Sequence, residues 1–149
     1  MTSSHIPTRL SRQVRQRAGD CCEYCRLPQS CQEATFHIDH VTPRDADGET
    51  VVENLALACV TCSLKKAAKT HVTDSRTGRK VAIFNPRKQS WETHFEWTRS
   101  WRLRGRTATG RATVTALGMN RPAIIAIRQL LAGVDRFPPD ECGRDDDAS

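Results

Sequence analysis

Cys22-Glu23-Tyr24-Cys25 and Cys59-Val60-Thr61-Cys62 bracket the run Phe36-His37-Ile38-Asp39-His40-Val41-Thr42-Pro43 and, after it, Asn54-Leu55-Ala56-Leu57-Ala58. Each Cys-x-x-Cys pair has the spacing of a metal knuckle. Together the knuckles supply four thiolates, the ligand set and coordination number that a structural Zn2+ prefers. A closed four-sulfur site leaves no open position, so any chemistry belongs to the residues between the knuckles.

Working outward, Ser11 to Ala18 is helix-compatible and stops at Gly19. Thr35 to Val41 alternates as a strand, with Phe36, Ile38 and His40 on one face and Thr35, His37, Asp39 and Val41 on the other. Asp39 and His40 therefore point apart unless the chain bends at Thr42-Pro43. Asp45 to Glu49 is a turn-rich loop containing Gly48, and Ser63 to Lys69 is a good helix former. Strand, loop and helix pinned by metal predict an α+β fold with a ββα core, a helix before it and a strand/helix extension behind it.

In that extension, Asp74 to Gly78 reads as a turn, and Ser90 caps a short helix carrying Trp91 and Phe95. Phe95, Trp97, Trp101 and Leu103 alternate as one strand whose buried face is interrupted at Arg99. Asn120 is the expected N-cap of a helix with Pro122 in its first turn and Ile124, Ile127, Leu131 and Val134 at helical spacing. The expected units are 9–72 for the zinc-bearing core, 73–134 for the extension packed on it, and 135–149 for an acidic, disordered tail.

Apolar residues make up 38% of the 149 and aromatic residues 5%, a lean core for which a metal staple is useful. Of seven cysteines, Cys21, Cys31 and Cys142 fall outside the knuckles and are expected as free thiols. An odd count argues against a fully paired disulfide framework and fits a reducing compartment. No run approaches the roughly 20 apolar residues of a membrane span, and Met1 to Leu10 lacks the apolar segment of a secretory signal. A soluble cytoplasmic protein with no membrane partner is the expectation. The net charge of +6 favours a polyanion without saying which one.

The stretch from Arg15-Gln16-Arg17-Ala18-Gly19 through both knuckles to Lys69 resembles the HNH endonuclease family. The matching pieces are Cys22-Glu23-Tyr24-Cys25, Phe36 to Val41 with Pro43, Gly48, Asn54 to Cys59, and Cys62 with Lys66 four residues on. Phe84-Asn85-Pro86-Arg87, Trp91-x-x-His94-Phe95 and Gly110-Arg111-Ala112-Thr113 are similar to the C-terminal part of a bacterial subgroup, so the likeness runs roughly over residues 9–131. It implies a ββα-metal (His-Me finger) core and metal-dependent hydrolysis of phosphodiester bonds in double-stranded DNA. It further implies His40 as general base, Asp39 as ligand of a catalytic Mg2+ or Mn2+, and Asn54 as the residue that fixes the catalytic loop.

The residue types suit those roles. Histidine titrates near neutral pH, and carboxylate oxygen suits hard divalent cations. One departure stands out: many relatives place His or Asn directly after the last knuckle cysteine, and here Ser63 stands there. His37, on the strand face of Asp39, is the best substitute ligand, with His71 and His94 as outside candidates. Arg44, Lys65, Lys66 and Lys69 are the expected phosphate contacts, with a solvated helix face as the alternative. Trp91, Trp97 and Trp101 are expected in the core before any stacking on bases. The competing function is a non-catalytic zinc module that binds nucleic acid or a protein partner.

Overall fold

A computed structural model of the chain describes residues 5–140 and 142. Its elements are α1 (Thr8–Arg17), β1 (His37–His40), β2 (Leu55–Ala58), α2 (Val60–Lys66), β3 (His71–Thr73), β4 (Lys80–Ala82), α3 (Trp91–His94), β5 (Phe95–Trp97), β6 (Leu103–Gly105), α4 (Ala108–Ala116) and α5 (Pro122–Ala132). The strands form three antiparallel two-stranded sheets, β1-β2, β3-β4 and β5-β6. A lone hairpin is marginal in water, so each must lean on helices or on the metal knuckles.

The central hairpin pairs His37 with Ala58, Ile38 with Leu57, Asp39 with Ala56 and His40 with Leu55. Leu55, Ala56, Leu57 and Ala58 are all fully buried, as expected of a strand covered on both faces. On one side α1 is tied down by Arg17, which donates to the Val52 and Leu55 carbonyls. On the other, α2 starts at the second knuckle, where the Cys59 sulfur caps the helix by accepting from the Cys62 amide. The core runs from Val14 and Tyr24 through Phe36, Leu55 and Leu57 to Phe84, Phe95, Leu117 and Met119. The stretch after β3 therefore shares one core with the ββα unit.

Two glycines mark where backbones meet. A Cβ on Gly48 would run into the Thr42 carbonyl oxygen, and one on Gly110 into that of His94. Gly48 thus lets the loop after β1 fold onto itself, and Gly110 lets α4 lie against α3.

Four expectations are corrected. The alternation from Phe95 to Leu103 belongs to a hairpin: β5 pairs with β6, and the chain reverses between Thr98 and Arg102, where Arg99 lies. Ala108–Ala116 is a helix, α4, that the sequence did not announce. Asn120 does not cap α5; its side chain accepts from the Leu103 amide and donates to the Leu103 carbonyl, and Arg121 occupies the N-cap position. Cys21 and Cys142 form a disulfide across 121 residues, leaving only Cys31 of the three extra cysteines as a free thiol. That pairing removes most of the support that the cysteine count lent to a reducing compartment.

The segment expected to be a disordered tail from residue 135 is ordered at its start. Phe137 is 5% exposed and packs edge-on against Trp97 and Trp101, with centroids 5.0 and 5.5 Å away. Arg128, itself buried, lies over the Trp97 ring at 5.0 Å and donates to the Trp101 carbonyl. The acidic residues from 143 on lie outside the described residues. Among the described residues, no helix is long and apolar enough to cross a membrane.

Candidate active site

The four knuckle sulfurs lie within 4.8 Å of one another, all buried. Cys25 Sγ and Cys59 Sγ are 3.7 Å apart, close to the edge of about 3.8 Å that a tetrahedron with Zn–S bonds of about 2.3 Å requires. The Cys25 amide points at Cys22 Sγ and the Cys62 amide at Cys59 Sγ, each at 3.4 Å, so backbone dipoles already favour thiolate. Mutual hydrogen bonding holds Cys59 far below an ordinary thiol and pushes Cys25 and Cys62 well up. Four close sulfurs cannot all ionise without a cation among them, and a structural Zn2+ fits that donor set.

Period-two alternation along β1 sends its last two side chains different ways. Asp39 turns inward to 8% exposure, whereas His40 is half-buried at the strand end. Tyr24, from the first knuckle, donates its hydroxyl to Asp39 Oδ2 at 2.8 Å. Lys66, from the end of α2, brings its ammonium to 3.1 Å from the same oxygen and donates to the His40 carbonyl at 2.9 Å. Burial pushes the Asp39 carboxyl up, and the Lys66 ammonium and Tyr24 hydroxyl oppose it. Tyr24, fully enclosed beside that carboxylate, is held well above an ordinary phenol and stays a donor.

His40 Nε2 lies 2.9 Å from Thr50 Oγ1, which also accepts from Arg44 at 3.0 Å. Burial lowers the His40 pKa, and the positive charges of Arg44 and Lys66 add to the effect against the pull of Asp39. The ring is therefore held neutral near pH 7 with one nitrogen anchored. Asn54 clamps the loop that carries these groups: its Oδ1 accepts from the Thr42 amide, and its Nδ2 donates to the Thr42 and Glu49 carbonyls at 3.0 and 2.9 Å.

His37 and Ser63, the other expected ligands, meet: Nδ1 and Oγ are 2.8 Å apart on the exposed rim where β1 faces the start of α2. His71 and His94 go elsewhere, His71 to its neighbour Thr70 and His94 to Thr107 Oγ1. Lys65 and Lys69 are exposed, the latter donating to the Lys65 carbonyl. Lys66 is 1% exposed, so it is an internal ion-pair partner in this arrangement rather than a phosphate contact. A cleft of about 260 Å3 opens beside the Val41-Thr42 corner, with Lys69, Thr70, Asn85 and Lys88 among its lining residues.

Sequence reasoning missed Tyr24 and Thr50, because no spacing rule links a knuckle tyrosine or a loop threonine to the Asp-His pair. It also missed Glu23. That buried carboxylate accepts from the Leu57 amide at 2.8 Å and pairs with Arg87, tying the first knuckle to the extension.

Among the described residues only the four cysteines gather three or more His, Cys, Asp or Glu donors. A second cation at Asp39 would have one carboxylate, with water filling most positions. Mg2+ accepts such a site, but the ion would compete with the Lys66 ammonium for the same oxygens.

Hairpin, knuckles and α2 together define a small zinc-stapled ββα unit of the α+β class. Residues 22–69 match the family model described as HNH endonuclease, and the cysteine cluster is the one expected of its zinc-knuckle form. The match supports nuclease-type chemistry and nucleic-acid binding in general terms. No curated protein and no solved structure matches the chain.

Proposed function

We propose that the chain is a metal-dependent endonuclease that hydrolyses phosphodiester bonds in double-stranded DNA, with His40 as general base. The observation that carries this reading is the anchored, neutral imidazole of His40, set beside a buried acidic residue in a segment that matches the HNH family. With Nε2–H donating to Thr50, the lone pair of Nδ1 is free to take a proton from water. Asn54 keeps the His40-to-Thr50 loop in register, and Arg44, Lys65 and Lys69 meet phosphates around the scissile bond.

Asp39, with His37 and Ser63 at the rim, would hold Mg2+ or Mn2+. That cation would supply charge stabilisation at the phosphate and the leaving oxygen. Lys66 then has two settings: paired to Asp39, as in this structure, or displaced toward the phosphate when Asp39 takes the cation.

Nicking of supercoiled plasmid in Mg2+ or Mn2+ is the test. His40→Ala should remove it while the circular dichroism spectrum stays unchanged, and undiminished nicking by that variant would overturn the proposal. The Lys66 ion pair and Ser63 favour one alternative, a zinc module that binds nucleic acid without cleaving it. Retained binding with no nicking in Mg2+, Mn2+, Ni2+ or Zn2+ would select that alternative.

A further inference from the structure

β6 and its flanks read Arg102-Leu103-Arg104-Gly105-Arg106. Pairing of Phe95 with Gly105, Glu96 with Arg104 and Trp97 with Leu103 sets the faces of this hairpin. Leu103, 3% exposed, and Phe95, 1% exposed, point into the core. By strand alternation Arg102, Arg104 and Arg106 share the opposite face, and all three are exposed. Arg99 is exposed on the connecting turn.

The partners of these side chains are few. Arg104 donates to Glu96 at 2.6 Å, and Arg106 donates to the Glu92 carbonyl at 3.2 Å. The guanidiniums of Arg99 and Arg102 have no partner among the described residues. Of these four guanidiniums only that of Arg104 is paired with a carboxylate, Glu96, while the Glu92 carboxylate accepts from Ser90. Like charges repeating along one exposed face repel and are screened by water and salt, so a polyanion that displaces the counterions is a favourable partner.

We propose that this outer face of the β5-β6 hairpin docks the phosphate backbone of duplex DNA, apart from the His40 site. Alternate residues on a strand recur about every 6.7 Å, close to the separation of adjacent phosphates along one DNA strand, where each rise of about 3.4 Å is accompanied by a turn around the helix. Three arginines in that register can each take one of three successive phosphates, and guanidinium forks suit phosphate oxygens better than ammonium does. The hairpin is rigid where it matters, because Trp97 is held by Arg128 and Phe137 on its inner face. The ridge rests on the DNA endonuclease reading and supplies capture, whereas His40 supplies the reaction.

The test uses the zinc-loaded full chain carrying His40→Ala, to keep the DNA intact, and a fluorescent duplex followed by anisotropy from 50 to 300 mM salt. Changing Arg102, Arg104 and Arg106 together to Gln should raise Kd at 0.1 M salt by about 10- to 100-fold. The slope of log K against log salt should fall by about 2 to 3, one unit or slightly less per lost contact. The Arg→Lys triple variant should keep most of the slope. If the Gln triple variant fails to fold, Arg102→Gln alone, which breaks no contact, should still reduce the slope by about 0.9. An unchanged slope and Kd, or no binding of duplex by the parent chain, overturns the ridge. Plasmid nicking by the chain with His40 intact, together with an unchanged slope here, would reject the ridge and keep the nuclease; a reduced slope here with no nicking by the chain with His40 intact would do the reverse.

Discussion

Asp39 is asked to be both an ion-pair partner and a cation ligand with the same two oxygens. Lys66 and Tyr24 hold them in this structure. Removing one member of a buried pair leaves the other charge uncompensated, which costs about 3–5 kcal/mol. Lys66→Met should therefore destabilise the fold by about that amount in urea denaturation, and Asp39→Asn combined with it should restore part of the loss. A loss near zero in the single variant would mean that Asp39 is not charged when buried. Asn54 is half-buried and makes three hydrogen bonds to the Thr42 and Glu49 backbone. Asn54→Ala should cost about 1–3 kcal/mol, and plasmid nicking should fall along with it because His40 lies on the clamped segment. A variant with normal stability but no nicking would instead place Asn54 at the reacting phosphate. Asp39, His40 and Asn54 were singled out by residue type and by the HNH resemblance. The partners that set their behaviour were not, because Tyr24, Thr50 and Lys66 arrive from three separate segments.

At the scale of elements, the β3-β4 hairpin shows how polar groups do what apolar contacts cannot. Its strands are three residues each, and Asp74 at the turn is held by Thr77 and by the Arg111 guanidinium of α4 at 3.0 Å. The Arg111 hydrogen bond lowers the Asp74 pKa to about 2. An unfolded Asp titrates near 3.9. The folded value is the lower one, so this contribution is complete above the unfolded pKa and is lost as pH falls through about 2. Urea midpoints of the parent chain and of Asp74→Asn should differ at pH 5 and converge toward pH 2. A difference independent of pH would assign the effect to packing. The helix α4 that Arg111 belongs to was not readable from Ala-Thr-Gly-Arg-Ala-Thr-Val-Thr-Ala, where threonines and glycine depress helix propensity. What holds it is tertiary: Gly110 sits against the His94 carbonyl, and Thr113 Oγ1 accepts from the Phe84 amide at 3.0 Å. The β5-β6 hairpin was misread for a related reason. Its turn contains Trp101 at φ +63, a left-handed conformation that a bulky residue rarely adopts and that no turn rule would expect.

For the whole molecule, two staples replace the area that a lean core lacks. Zinc at the knuckles joins the segment after α1 to the start of α2, and the Cys21–Cys142 disulfide joins that same segment to the last described residue. Cys59→Ser should lose cooperative thermal unfolding, because structural zinc contributes folding energy directly. An unchanged melting temperature after exhaustive chelation would remove the zinc from the account. Cys142→Ser should lower stability by about 2–4 kcal/mol under oxidising conditions and leave the reduced chain unaffected, which melts with and without reductant would resolve.

The sequence by itself determined the α+β class and the two knuckles whose four cysteines gather around one point, since knuckle spacing and strand alternation are local rules. Tertiary structure alone decided that Lys66 turns inward to Asp39, that Cys21 finds Cys142, and that the segment around Phe137 folds onto Trp97. Each of these depends on segments far apart in the chain meeting around the shared core. Such meetings are fixed by burial and by the satisfaction of polar groups, which local spacing does not encode.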